Sequence, residues 1–184
     1  MNMKKQSLTT LVQAAMIAAI YVVLTLLANS FGLANYAIQV RFSEALTILP
    51  FFTLAAVPGL FIGCILSNIL TGCLPLDIVF GSLATLFGAL GTYFIGRMSR
   101  KAMDAAATTK PQRGFSVYKL LSPFPPIISN TLIIPYVLSY VYQFDGSIPY
   151  FMLTVGIGEV ISCGILGMVL FFSLERYENI LFRS

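Results

Sequence analysis

The sequence LTTLVQAAMIAAIYVVLTLLAN, residues 8–29, contains no charged side chain. A transmembrane helix needs about 20 mostly apolar residues to cross roughly 30 Å of hydrocarbon. The rest of the chain has the same character, because 58% of its residues are hydrophobic and only 10% are charged. Soluble domains carry about 25% charged residues. We therefore expect an all-α integral membrane protein with lipid around most of its surface.

Further apolar segments follow, bounded by charged residues, proline or glycine. They predict a six-helix transmembrane bundle that forms one membrane domain over residues 1–184, with spans at residues 8–29, 41–55, 58–71, 75–97, 118–142 and 148–174. The second span is short and is interrupted by Pro50. The polar composition of residues 99–114 predicts a mobile cytoplasmic linker.

The basic residues predict the orientation of the chain. Six of them lie in or beside the connection between the fourth and fifth spans: Arg97, Arg100, Lys101, Lys110, Arg113 and Lys119. The connections at 30–40, 72–74 and 143–147 contain no lysine or arginine. Because basic connections stay in the cytoplasm, both termini are predicted to be cytoplasmic. The net charge of +4 thus indicates topology rather than nucleic-acid binding.

Two stripes of small residues run along the first span. Ala14 and Ala18 form one stripe, and Ala15 and Ala19 form the other on an adjoining face. Small residues let helix backbones approach closely, which is how helices associate in lipid. The pattern alone allows either packing within this chain or docking of another membrane subunit.

Ionisable residues within apolar spans are costly and usually face a protein interior or a wet cavity. Glu159, Glu44, Asp77 and Arg41 are therefore candidate ligand-binding residues. Asp77 and Arg41 lie near span ends, where an interfacial position also explains them, and the i, i+3 spacing allows Arg41 to pair with Glu44. Amides and aromatic rings add hydrogen-bonding and stacking capacity, and the candidates are Asn68, Asn130, Tyr36 and Tyr136.

Several motifs of enzymes and metalloproteins are absent from the sequence. It contains no histidine and no GxxxxGK[ST] phosphate loop, and its three cysteines have no metal-ligand spacing. We therefore expect a protein that is not an enzyme, with no cofactor and no metal site. What remains is an acidic, partly aromatic site on a chain that cannot use ATP by itself.

Several segments, taken in order, resemble the QueT family of substrate-binding S components of energy-coupling-factor (ECF) transporters. They are QAAMIAA at 13–19, VRFSEAL at 40–46, AVPGLFIGC at 56–64, DIVFGSLATL at 77–86 and GIGE at 156–159. The resemblance implies a bacterial plasma-membrane subunit that captures a queuosine precursor, 7-aminomethyl-7-deazaguanine. It also implies two kinds of partner, a transmembrane T component and two cytoplasmic ATPases, with Ala14, Ala15, Ala18 and Ala19 as the docking face.

The chemistry of that ligand can be compared with the candidate residues. A guanine-like edge presents adjacent N–H donors to one carboxylate, and a protonated aminomethyl group requires a second acid. Glu44, Glu159 and Asp77 would supply these acceptors, with Asn68 or Asn130 for the carbonyl oxygen. The sequence leaves two alternatives open: an S component for another vitamin such as riboflavin or thiamine, and a membrane assembly subunit that transports nothing.

Overall fold

The computed structural model describes residues 3–32, 40–106 and 117–178, and within these ranges the chain is helical with no strand. Five α-helical elements and one 3-10 helix follow in order. They are α1 (Met3–Ser30), the 3-10 helix (Phe42–Phe51), α2 (Ala56–Leu70), α3 (Pro75–Ala106), α4 (Val117–Val141) and α5 (Ile148–Glu175).

Two of the long helices are irregular. A turn separates Val117–Leu121 from Phe124–Tyr136 within α4, and a π-helical turn, Val137–Val141, ends this helix. In α5 a π-helical segment, Val160–Leu166, begins directly after Glu159. Such π-helical turns inside α-helices are frequent at functional sites.

Four helices are long and apolar enough to cross a membrane: Ser7–Ser30 within α1, Pro75–Asp104 within α3, α4 and α5. The segments predicted as the second and third spans are shorter, because the 3-10 helix has 10 residues and α2 has 15. At about 1.5 Å per residue, α2 covers only about 22 Å. Length and composition therefore support four membrane-crossing helices among the six.

The predicted linker is partly helical. Helix α3 continues to Ala106, so residues 99–106 are helix, and residues 107–114 lie outside the described ranges. Ser99 is buried, and the guanidinium of Arg100 donates a 2.6 Å hydrogen bond to the carbonyl oxygen of Phe51. Because of this packing against the 3-10 helix, α3 continues beyond Arg97, where the fourth span was predicted to end.

Helices α1 and α2 are in close contact along their small residues. A Cβ atom added at Gly59 would lie 2.7 Å from the carbonyl oxygen of Ala14, and one at Gly63 would lie 3.1 Å from Cα of Ala18. Ala14 and Ala18 are therefore buried within this chain, which corrects their assignment to the docking face.

The second alanine stripe has the opposite environment. Ala15 and Ala19 are exposed on the outer side of α1. Of the four alanines predicted to dock a partner, only these two present a free surface.

The 3-10 helix lies in the interior of the bundle. Every residue from Ser43 to Phe51 is buried. At its C-terminal end, Phe51 and Phe52 pack on Phe171 of α5 with ring centroids 5.0 and 4.9 Å from that ring. The element therefore has protein on all sides and exposes little backbone to lipid.

Replacing Gly63 with alanine is expected to destabilise the protein by about 1–3 kcal/mol, because the new methyl group overpacks the α1–α2 contact. The added Cβ would lie 2.8 Å from Cβ of Tyr21. Thermal unfolding followed by circular dichroism in detergent measures the effect. The matched control is Gly164→Ala, whose Cβ would lie 3.7 Å from its nearest neighbour. Equal melting temperatures for the two variants would contradict this packing.

Candidate ligand-binding site

A cavity of about 680 Å³ opens at the end of the bundle where α1 and α2 finish and α3 begins. This volume lies in the range of about 300–1,000 Å³ typical of small-molecule sites. Its wall combines polar, charged and aromatic side chains, including Thr25, Asn29, Arg41, Asn68, Asp77, Tyr142, Asp145, Tyr150 and Thr154. We call it the wide cavity.

Asp77 is held in the wall of the wide cavity by a tyrosine. The hydroxyl of Tyr142 donates to Oδ2 of Asp77 at 2.7 Å, and the backbone N–H of Leu74 donates to the same hydroxyl at 3.4 Å. The Tyr142 ring also stacks on Phe144 with centroids 5.6 Å apart. These contacts join the start of α3 to the end of α4 and fix a carboxylate beside an aromatic face.

A much smaller chamber of about 10 Å³ adjoins the wide cavity. It is lined by Arg41, Asn130, Ile134, Val155 and Glu159. Arg41 and Ile134 line both spaces, and we call the part of the wall formed by these two residues the neck. We call this space the deep chamber.

Glu44 lies beside the deep chamber. One of its carboxylate oxygens accepts a hydrogen bond and the other does not. The hydroxyl of Tyr21 donates to Oε1 of Glu44 at 2.5 Å. The other oxygen, Oε2, is buried and has no hydrogen-bond partner, although the residue is only 1% exposed. A buried acceptor without a partner destabilises a protein by about 1–3 kcal/mol. A ligand that donates a hydrogen bond to this oxygen would remove that cost.

Glu159 and Cys163 complete the same group of side chains. The thiol of Cys163 donates to Oε2 of Glu159 at 3.1 Å, and the Thr47 hydroxyl lies 3.4 Å from that sulfur. The Asn130 side chain lies near both Glu44 and Glu159, but no hydrogen bond with good distance and angle reaches Oε2 of Glu44. Helices α1, α4 and α5 and the 3-10 helix thus converge on two buried carboxyl groups.

Arg41 does not pair directly with Glu44. Among residues 7–32, 40–104 and 117–178, the ion pair within 4.0 Å is Lys119 with Glu175, at the opposite end of the bundle. The predicted i, i+3 pairing required helical backbone at Arg41, but this residue is extended, with φ −107° and ψ 111°. Its guanidinium therefore remains available at the neck.

A metal ion is a possible occupant of the group formed by Glu44, Glu159 and Cys163, whose ligand atoms lie within 4.8 Å of one another. The neighbouring guanidinium of Arg41 opposes a divalent cation there. Taken together, the charges of the two carboxylates and the guanidinium are balanced by one monovalent cation. The arrangement therefore suits an organic ammonium group better than a divalent metal ion.

The predicted site residues fall into two groups in the structure. Six of them surround the two cavities: Glu44, Glu159, Asp77, Arg41, Asn68 and Asn130. Tyr136 does not, because it is 46% exposed and stacks on Tyr140 at 6.4 Å, on the outer face of α4. Tyr36 lies outside the described residues.

Sequence reasoning selected Tyr36 and Tyr136 as the aromatic site residues, whereas the aromatic residues that line the wide cavity are Tyr142, Phe144, Tyr150 and Phe151. Ile134, Leu138 and Tyr142 also line it, at intervals of four residues along α4. That spacing was the available signal for the inner face of this helix. Sequence reasoning did not identify Tyr21. Its hydrogen bond to Glu44 joins residues that are distant in the sequence.

A bundle of apolar helices around a polar cavity, with four helices long enough to cross a membrane, is typical of a multi-pass membrane protein. A family model described as the QueT transporter matches residues 11–176, and the chain belongs to this family.

One similar relative is the queuosine precursor transporter QueT of Lactococcus lactis subsp. cremoris. It is 31% identical over 123 residues, which are 66% of this chain and 72% of the relative. No solved structure matches the chain significantly.

The wide cavity predicts unequal reactivity of the three cysteines. Cys73 lines the cavity and is partly exposed, whereas Cys64 and Cys163 are each 1% exposed. In single-cysteine variants in detergent, a polar maleimide should label Cys73 rapidly and the other two only after denaturation. Gel-shift or mass-spectrometric time courses measure this, and equal labelling rates would contradict the burial.

Proposed function

We propose that this chain is the substrate-binding S component of an ECF transporter that imports a queuosine precursor, 7-aminomethyl-7-deazaguanine. The observation that carries the proposal is the buried, unpartnered Oε2 of Glu44, close to Glu159 in a group adjoining an enclosed cavity. A protonated amine on a polar base supplies the donors that these acceptors lack. The name of the Lactococcus relative supports the same class of substrate.

The contacts between helices support six membrane crossings. Gly59 lies opposite Ala14 and Gly63 opposite Ala18, so α1 and α2 run parallel. The chain between them must therefore return through the bundle, and the 3-10 helix lies on that path, from the wide cavity at Arg41 to the contact of Phe51 with Arg100. A short crossing element is tolerated at this depth because it is buried in protein.

The distribution of charge supports the orientation of this bundle in the bacterial plasma membrane. Arg100, Lys101, Lys119 and Arg176 lie at the end opposite the wide cavity. The positive-inside rule places that end in the cytoplasm, together with both termini. The wide cavity then opens to the outside, where a nutrient is captured.

The wide cavity provides the remaining contacts that a flat, polar base needs. Asp77 accepts hydrogen bonds, Asn68 offers an amide, and Tyr142 and Tyr150 offer ring faces for stacking. The sites of other vitamins also use aromatic stacking, but the three acids Glu44, Asp77 and Glu159 favour a cationic ligand that is rich in donors.

Energy for uptake would come from partners, a T component and two cytoplasmic ATPases. The chain has no phosphate loop of its own. Ala15 and Ala19 form an exposed stripe on α1 that allows close approach of a helix from the T component. Ala14 and Ala18 would act indirectly, by holding α1 against α2.

Calorimetric titration of the purified chain in detergent tests the proposed substrate. 7-Aminomethyl-7-deazaguanine should bind saturably, and riboflavin and thiamine should not. Glu159→Gln should weaken binding at least tenfold, or about 1.4 kcal/mol, because it removes a charged acceptor at the amine. Its melting temperature should change little, since glutamine keeps the size of the side chain.

Two results would count against the proposal. Wild-type protein that binds none of the 7-deazaguanines would refute the substrate assignment, and unchanged affinity in the Glu159→Gln variant would refute the role of this carboxyl group. Asp104→Asn is the matched control, because Asp104 is an exposed carboxylate near the end of α3.

Docking is tested separately from ligand binding. Ala19→Leu should reduce co-purification with the T component and ATPases, since the larger side chain prevents close helix approach, and should leave ligand affinity unchanged. Ala102→Leu, at an exposed alanine of α3, is the control for an added leucine side chain. Full co-purification of the Ala19→Leu variant would contradict docking through this stripe.

A further inference from the structure

The two cavities differ in what they can hold. The wide cavity has a volume of about 680 Å³ and the deep chamber about 10 Å³. A space of about 10–15 Å³ admits one water-sized group and no ring. If both spaces serve one ligand, its ring system lies in the wide cavity and a single small substituent passes the neck.

The deep chamber is suited to a cationic substituent. Glu159 lines it, and Glu44 places its carboxyl group within 4.8 Å of the Glu159 carboxyl group. The Oε2 atom of Glu44 is buried without a partner, which is an observation independent of the acidic cluster itself. An ammonium group carries three N–H donors and can satisfy both carboxylates at once.

Arg41, at the neck, favours a ligand with a hydrogen-bond acceptor next to its ammonium group. Arg41 lines both spaces and forms no ion pair within 4.0 Å with any described carboxylate. Its guanidinium offers donors and no acceptor. A ligand with a carbonyl oxygen next to its ammonium arm would place an acceptor near this guanidinium.

Asp77 supplies a third carboxylate to the site. This carboxylate lines the wide cavity and does not line the deep chamber, whereas Glu159 lines only the deep chamber. Tyr142 fixes the Asp77 side chain by its 2.7 Å hydrogen bond. A carboxylate so placed accepts a pair of neighbouring N–H groups on a heterocycle.

We propose that the site orients its ligand with the carbonyl and aminomethyl edge toward Arg41, Glu44 and Glu159 and the N–H edge toward Asp77. This inference rests on the proposed function. On 7-aminomethyl-7-deazaguanine the carbonyl lies between the aminomethyl group on one side and the paired N–H donors on the other. The two carboxylate regions therefore recognise different parts of one molecule, and selectivity for the amine comes from the deep chamber.

The test compares two ligands on each protein variant. 7-Aminomethyl-7-deazaguanine and 7-deazaguanine differ only in the arm, so the ratio of their dissociation constants isolates its recognition. Wild-type protein and the control Asp104→Asn should prefer the amine at least tenfold. Glu159→Gln should bring the ratio close to one with little change for 7-deazaguanine. Asp77→Asn should weaken both ligands by a similar factor and keep the ratio.

The ratio does not depend on the fraction of folded protein, which protects the test from partial misfolding. If Glu159→Gln does not fold, Glu44→Gln provides the same comparison. Loss of amine preference in Asp77→Asn, with preference retained in Glu159→Gln, would reverse the orientation and overturn the inference. Failure of the proposed function gives a different result, namely that wild-type protein binds neither ligand.

Discussion

Backbone polar groups at membrane depth must find partners within the protein, since lipid offers none. The 3-10 helix Phe42–Phe51 meets this constraint only because the bundle encloses it. Thr25 donates to the hydroxyl of Ser43 at 2.8 Å near its start, and Arg100 donates to its last carbonyl. Runs of 3-10 helix longer than three or four residues are uncommon, so this one depends on its surroundings. This helix positions Glu44 in its first turn and Arg41 directly before its first residue.

Close helix contacts make that enclosure possible. Besides the α1–α2 contact, a Cβ atom at Gly88 of α3 would lie 2.6 Å from Cα of Pro126 in α4, and one at Gly91 would lie 2.5 Å from Cβ of Pro125. These glycines let α3 and α4 approach more closely than larger side chains would allow. The same small residues therefore stabilise the bundle and hold the 3-10 helix between α1, α3 and α5.

The sequence predicted the helical segments and the acidic residues that lie inside the bundle, because apolar length and charge within an apolar segment are local signals. It did not predict the 3-10 geometry, which is stabilised by contacts with distant helices. Nor did it select Tyr142 instead of Tyr136, although Ile134, Leu138 and Tyr142 recur every four residues and line the wide cavity. The two alanine stripes are equivalent in α1 itself, and only the positions of Gly59 and Gly63 show which one is buried.

The unpartnered oxygen of Glu44 also affects the free energies of ligand capture and release in the proposed transport cycle. Without a ligand its burial costs about 1–3 kcal/mol, and an ammonium group that donates to it removes this cost. Capture is therefore favourable for the chain alone, whereas release restores the cost. At the end opposite the wide cavity, the cluster of Phe51, Phe52 and Phe171 fills the interior of the bundle. In the proposed cycle this cost of release would be met by the partner ATPases.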